Sequence, residues 1–409
     1  MKISIVLLFF CITTYAQKNG LIFFIDKIEG RPNAHIIDIK EGKDKSIYLL
    51  GECKDNTYKK TSSWYMHVDA NGKKISAKHN DADVSNLKRF VLSKNENLLV
   101  VGNTESENGR SQSYTRLYDK EGNIKLLTVM AMSYPIILGD AINVDENQVL
   151  IAQSNDKVAN GKYNVAILKT DIDRFLPMEI VSITSDFDEV PTKICLNSKK
   201  EMIVSCIRYN GESMSNIIYC INESGSKIWQ YEPKVDNSFL NSSITIDKND
   251  NTIFTCSYRN ASTYLSSSVV LKLNPKGELV KEEVFDNIKS NGITILKNGN
   301  YLLYGANFEP YENRIIISKA AFRIIDPNFK IVLTDELGQT DSPNSTLPTN
   351  IVTEMPVSSE FNNAVQLSDG RLIFGGRVNY PARDENDVLT PIRQNQACVL
   401  FTSADGKFR

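Results

Sequence analysis

Residues able to do chemistry are few in this 409-residue chain. There are three histidines, His35, His67 and His79, all near the N-terminus. None is spaced from another as a metal-binding helix or knuckle requires, so no metal site is expected. The chain has no G-x-S-x-G elbow, no H-E-x-x-H and no G-x-G-x-x-G, which are the signatures of a serine hydrolase, a zinc protease and a dinucleotide site. Asp247-Lys248-Asn249-Asp250-Asn251 is similar to a calcium loop but lacks its glycine and distal glutamate, and reads as a hairpin turn. No catalytic residue and no cofactor is assigned. What stands out is recognition chemistry, because tyrosine, arginine and other aromatics recur in the segments between apolar runs. These are Arg208, Tyr209, Tyr258, Arg259, Phe308, Arg377, Tyr380, Arg383 and Arg393. Tyrosine and arginine are enriched at binding hot spots, and flat aromatic faces also suit sugar rings. The competing reading is that these side chains pack between neighbouring structural units.

The elements that position them repeat. A short apolar strand ending in a small or polar residue recurs as Ile47–Gly51, Leu98–Gly102, Val149–Gln153, Met202–Cys206, Thr252–Cys256, Tyr301–Gly305 and Leu372–Gly376. The steps between the last residues are 51, 51, 53, 50, 49 and 71. Shorter apolar runs precede it, such as Ile36–Ile39, Ile194–Leu196, Ser243–Ile246 and Ala364–Leu367. A further strand follows it and ends in a turn: Asp69-Ala70-Asn71-Gly72, Asp119-Lys120-Glu121-Gly122, Asn222-Glu223-Ser224-Gly225, Asn274-Pro275-Lys276-Gly277 and Ser403-Ala404-Asp405-Gly406. Asp and Asn bond their own backbone in such turns, and Gly accepts the positive φ they need. Asp171-Ile172-Asp173-Arg174 and Asp326-Pro327-Asn328-Phe329 keep the turn residues but lack the glycine. Each unit therefore reads as strands A, B, C and D of one antiparallel sheet.

Seven such units with a period near fifty predict an all-β fold, a seven-bladed β-propeller of four-stranded blades. Unit seven stops after its third strand. Gly20–Ile25 matches a fourth strand in register with Gly122–Leu127, so the N-terminal strand is predicted to complete the last blade and close the ring. Residues 1–16 read as a signal peptide: Lys2, the apolar run Ile3–Ile12, then small residues at Thr14 and Ala16 before a cut at Gln17. The run is too short to span a bilayer, and no integral membrane segment is expected after cleavage. The domains are thus residues 1–16 (signal) and 17–409 (propeller), and the protein is expected to be exported, periplasmic or secreted. The formal net charge of −2 gives no case for a nucleic acid partner.

Cys53, Cys195, Cys206, Cys220, Cys256 and Cys398 follow the leader. An even count in an exported chain suggests disulfides, but five sit within predicted strands, where free cysteine acts as a small hydrophobe. The best exception is one bridge among Cys195, Cys206 and Cys220.

Two insertions break the period: the D–A connection from Leu333 to Asn362 and the B–C loop from Val378 to Gln396. Both border blade seven. B–C and D–A connections of a propeller emerge on one face, so this face is the expected partner site.

Leu367-Ser368-Asp369-Gly370-Arg371-Leu372-Ile373-Phe374-Gly375-Gly376, followed by Cys398–Phe401 and Ala404-Asp405-Gly406, resembles the delta-60 type repeat of bacterial secreted propellers. Glu223–Trp229 is similar to the Gly-x-x-x-Trp end of a quinoprotein blade, but it occurs once, which does not support a quinone site. The resemblance implies fold and export. The expected function is a non-enzymatic binding module for a protein or glycan on the B–C/D–A loop face. The alternative is a carbohydrate-active enzyme, hydrolase or lyase, at the channel mouth.

Overall fold

In the computed structural model the described residues are 15–17, 20–24, 33–54, 61–80, 87–105, 111–130, 136–157, 162–174, 176–211, 213–235, 238–259, 265–311, 315–337, 358–383 and 389–402. Two short strands come first, β1 (Tyr15–Gln17) and β2 (Gly20–Phe24). Blade 1 is β3 (Asn33–Glu41), β4 (Ile47–Lys54), β5 (Thr61–Val68) and β6 (Lys74–Asn80). Blade 2 is β7 (Leu87–Leu92), β8 (Leu98–Glu105), β9 (Ser111–Tyr118) and β10 (Ile124–Met130). Blade 3 is β11 (Ile136–Asn143), β12 (Gln148–Lys157), β13 (Lys162–Asp171) and β14 (Met178–Ile183). Blade 4 is β15 (Asp188–Leu196), β16 (Met202–Asn210), β17 (Ser213–Ile221) and β18 (Lys227–Tyr231). Blade 5 is β19 (Ser238–Ile246), β20 (Thr252–Arg259), β21 (Ser266–Leu273) and β22 (Leu279–Phe285). Blade 6 is β23 (Ile288–Ile295), β24 (Tyr301–Tyr311), β25 (Ile315–Ile325) and β26 (Ile331–Glu336). Blade 7 takes β27 (Ser358–Gln366), β28 (Leu372–Arg383) and β29 (Leu389–Phe401) from the end of the chain.

Its fourth strand is β2, which pairs antiparallel with β29, Leu21 opposite Phe401 and Phe24 opposite Cys398. The short β1 adds a fifth strand outside it. The first strands of successive blades touch in ring order, and β27 touches β3. The fold is a seven-bladed β-propeller closed by its N-terminal strand, as the repeat predicts. No helix among the described residues is long and apolar enough to cross a membrane. Of the signal peptide expected at residues 1–16, residues 1–14 lie outside the described residues and Tyr15 and Ala16 stand in β1; the turn at 403–406 also lies outside them.

The second strand of each blade is an unbroken apolar run because both its faces are buried. Ile47 and Leu49 pack toward blade 7, while Tyr48 and Leu50 pack toward blade 2. The core accordingly divides into seven clusters, one for each seam between neighbouring blades. The C–D turns use the expected chemistry: Gly72, Gly122, Gly225 and Gly277 all have φ between 81° and 84°. In blade 6 Phe329 takes that place with φ 61°, its ring buried edge-on against Tyr301 at 6.0 Å. Apolar burial there offsets the steric penalty of a left-handed non-glycine residue. Asp247–Asn251 is the hairpin turn read from sequence: Asp247 Oδ1 accepts the amides of Asn249 and Asn251.

All six cysteines are free. The bridge considered for blade 4 does not form, for a geometric reason. Cys195 and Cys220 both lie opposite Ile203, one on each side of it. They share a face but stand two strand spacings apart, roughly 9–10 Å, beyond disulfide reach. Cys206 belongs to the opposite seam.

The insertion at 378–396 is corrected. Residues 378–383 and 389–396 are not loop but extensions of β28 and β29, paired through Val378 with Gln396, Tyr380 with Gln394, Pro381 with Arg393 and Arg383 with Leu389, while 384–388 lie outside the described residues. In the other insertion, 331–336 and 358–366 are strands, and 338–357 lies outside the described residues.

Candidate functional site

Every first strand departs from regular pairing at the same point. The register shifts between Ile36 and Asp38, Leu87 and Arg89, Leu138 and Asp140, Pro191 and Lys193, Ser290 and Gly292, and Phe361 and Asn363, with a longer shift from Ser238 to Ser242. A bulge re-aims side chains that alternation would otherwise bury. The bulged residues Ile37, Lys88, Gly139, Thr192, Asn291 and Asn362 all line one cavity of about 580 Å³ in the ring centre. Its walls come from the entry halves of the first strands, from the end of β16 and from Arg377 in mid-β28, so it lies toward the D–A/B–C face.

Just below the bulges sits a charge network joining blades 1, 2, 3, 4 and 7. Arg89 Nη1 donates to Asp38 Oδ1 at 2.9 Å and its Nε to Asp140 Oδ1 at 2.8 Å. Asp38 also accepts from the Phe90 amide at 3.1 Å and from Asn363 Nδ2 at 2.9 Å. Asp140 accepts from the Ile194 amide at 3.2 Å, and Lys193 Nζ lies 3.8 Å away. Each carboxylate thus ties its own blade to the first strand of the next. Burial alone would push the Arg89 guanidinium down, but Asp140 and Asp38 hold it above its ordinary value. Across the ring, Glu360 accepts from Arg377 Nη2 at 2.7 Å, with Lys289 Nζ at 3.7 Å.

These charges are layered. Arg377, Lys289 and Lys193 are 41, 26 and 21 % exposed, whereas Glu360, Asp140 and Asp38 are 14, 4 and 0 %. A solute in the cavity therefore meets N–H groups first and carboxylates behind them. Lys88 completes this layer and has no hydrogen-bonding or ion-pair partner among the described residues; burial pushes its ammonium pKa down, opposed by the Glu52 charge.

Glu52 is held by the Leu87 amide, and burial pushes its carboxyl up. It faces His35 Nε2 at 3.7 Å. His35 is pushed down to about 3 by burial, then by Arg377 and Lys54, so it stays neutral in the fold. An unfolded histidine titrates near pH 6.5. Between about pH 6.5 and 3 the unfolded chain therefore binds the proton that the folded chain refuses, and stability falls with acidification. Denaturant unfolding at pH 7 and pH 5 should show this loss reduced by about 2 kcal/mol in His35→Asn. An unchanged acid limb in that variant would assign it to other groups.

The sequence-predicted binding residues whose side chains are described have different surroundings. Tyr209 and Arg377 line the cavity. Arg208 is turned into the blade, bonded to Glu189 at 2.9 Å, Glu232 at 2.9 Å and the Tyr219 hydroxyl at 3.2 Å, with its guanidinium 4.6 Å from the Phe187 ring centre. This is the packing role that competed with binding in the sequence. Tyr258 packs on the seam between blades 4 and 5. Arg259 is exposed at the end of β20. Phe308 is half-buried in β24, its amide on the Asn287 carbonyl. Tyr380, Arg383 and Arg393 lie in the β28–β29 hairpin.

The histidines do not converge. His67 bonds Ser46 and stacks on Tyr48 at 4.3 Å, while His79 bonds Ser62 at 2.7 Å. No group of three metal-ligating side chains occurs among the described residues. The sequence reading missed Asp140, Lys289 and Glu360 as cavity residues.

No family model matches the chain, and no curated protein matches it in sequence. Solved structures are similar in fold. Polysaccharide lyase Uly1 superposes with TM-score 0.53 at 8 % identity over 91 % of this chain and 90 % of that one. The α-L-arabinofuranosidase Arb93A from Fusarium graminearum gives 0.48 at 10 % identity, over 75 and 96 %. The Dos1 propeller gives 0.45 at 14 % identity, over 91 and 78 %. At these identities the likeness is one of fold.

Proposed function

We propose that this protein is a non-enzymatic binding module, exported to the periplasm or beyond, whose channel mouth takes an acidic glycan. The observation that supports this reading is the layer of Lys and Arg groups over buried carboxylates around a cavity of about 580 Å³, a volume in the range of small-ligand sites. Guanidinium and ammonium donors placed at different points of a ring recognise carboxylate or sulfate groups at defined positions on a sugar. Lys88 is the key residue, because it lines the cavity and hydrogen-bonds to none of the described residues.

The test is titration calorimetry with uronate-containing or sulfated oligosaccharides against neutral ones of equal length. Acidic oligosaccharides should bind, more weakly as salt rises. Lys88→Ala should weaken binding about tenfold or more, the value of one charge-assisted hydrogen bond, without lowering the melting temperature. Equal binding of neutral sugars, or an unchanged Lys88→Ala affinity, would refute the site.

The alternative remains a carbohydrate-active enzyme at the same mouth. A glycosidase needs one carboxyl as a protonated donor, yet Asp140 and Glu360 are both engaged by cations. Chain cleavage of the bound glycan would replace the binding reading with this one.

A further inference from the structure

The seam between blades 1 and 2 differs from the other six. Arg116 on β9 lies opposite Val100, flanked on the same face by Tyr114 and Tyr118, and points with them toward blade 1. It is 1 % exposed and among the largest fully buried side chains. Its guanidinium carbon sits 5.1 Å from the Tyr114 ring centre and 5.8 Å from that of Tyr118. Nη1 donates to the Tyr118 hydroxyl at 3.1 Å. Among the described residues Nε has no partner and no carboxylate pairs with this arginine. The contrast with Arg89 and Arg208 is plain, since each of those holds two carboxylates.

A buried cation without a counter-charge is strongly unfavourable, and a guanidinium does not escape by losing its proton. Two ring faces compensate only part of this. The same seam carries four more buried hydroxyls without partners, those of Tyr48, Ser63, Ser76 and Tyr114. Ser63 lies opposite Glu52, whose carboxylate reaches the Leu87 amide of blade 2, so Ser63 faces this seam. Ser76 lies opposite His67, which stacks on Tyr48, and faces it too. Five of the twelve unpartnered buried side-chain atoms among the described residues thus gather at one seam of seven.

We propose that this seam binds a small monovalent anion of the halide class, held by Arg116 Nε–H with the Tyr114 hydroxyl as a second donor. The charge matches one guanidinium. The size follows from burial, because Tyr114 and Tyr118 are 2 and 1 % exposed and leave no opening for a sulfate or a sugar acid. Hydroxyl and N–H donors between aromatic walls suit an ion that has shed its water.

The experiment melts the purified protein at fixed ionic strength while sodium chloride replaces sodium isethionate. In wild type the melting temperature should rise and then saturate, by about 2 °C or more in all. Crystals in bromide should give an anomalous peak beside Arg116 Nε. Arg116→Met should lose the chloride response, which separates this site from the cationic channel. If that variant does not fold, the bromide peak decides. A chloride response that survives in Arg116→Met, or bromide crystals with no peak at this seam, would overturn the proposal.

Discussion

Replacing Arg89 with methionine should destabilise the ring by about 3 kcal/mol or more, read as a drop in the denaturant midpoint at neutral pH. The residue is one of two channel cations bonded at 3 Å or less to a carboxylate, and the one whose carboxylates lie deepest. Asp38 is fully buried and Asp140 is 4 % exposed. Removing the guanidinium leaves both with weaker neighbours, Lys40 at 3.6 Å and Lys193 at 3.8 Å. Breaking a buried ion pair by deleting one partner typically costs ~3–5 kcal/mol, because a charge is left without compensation. The remaining amide donors to Asp38 and Asp140 place the effect toward the lower end. Asp38→Asn combined with Arg89→Met should cost less than the two single changes summed, since each single change orphans a group that the double change removes. A loss below about 0.5 kcal/mol in Arg89→Met would mean that water in the channel screens these charges.

The arrangement of this network was written in the sequence at a constant offset. Asp38, Arg89, Asp140, Lys193, Ser243, Gly292 and Asn363 each stand thirteen residues before Gly51, Gly102, Gln153, Cys206, Cys256, Gly305 and Gly376. The bulged residues Ile37, Lys88, Gly139, Thr192, Asn291 and Asn362 stand fourteen before. The B strands revealed the period because two buried faces force a continuous apolar run. The A strands did not, because the residue at this position changes from Asp to Arg to Asp to Lys over blades 1–4 and is uncharged in blades 5–7. Only closure of the ring brings Asp38, Arg89 and Asp140 into contact. Strict alternation also misassigns faces after a bulge, so it does not show that Lys88 lines the channel while Arg89 joins the carboxylates beneath it.

Face assignment also decides what the candidate binding residues of the sequence can reach. Arg208 and Tyr209 are adjacent in a strand and so point to opposite faces. One reaches the Glu189–Tyr219 pair and the other the channel. Sequence gave them the same rank because residue type marks what a side chain can bind and not which face it is on. Arg116 carried no signal at all in the apolar pattern of β9, since its burial depends on the tyrosines that flank it.

The strand Gly20–Phe24 offers the second large effect. A chain starting at residue 25 should still close its ring but be less stable by about 3–6 kcal/mol. Closure survives because blade 7 grips blade 1 through other bonds: Asn363 Nδ2 to Asp38, the Ser368 amide to Glu41, Arg371 Nη2 to the Ala70 carbonyl and the Asn395 amide to Asn33. An apolar cluster built from both blades lies along the same seam. What the deletion uncovers is β29. Cys398, Val399, Leu400 and Phe401 are all 2 % exposed or less, and a fully uncovered apolar side chain costs ~1.5–3 kcal/mol. With roughly half of that burial lost, the sum reaches several kcal/mol, a large share of a typical ~5–15 kcal/mol total. The truncated protein also presents β29 as an unpaired edge, a template for association. Scattering should therefore report a compact monomer at low concentration and oligomers as concentration rises. Unfolding should come at a lower denaturant midpoint with a similar slope. A truncated chain as stable as the full one would mean that β2 covers little of β29, and an expanded monomer would mean that this strand is the ring's principal clasp.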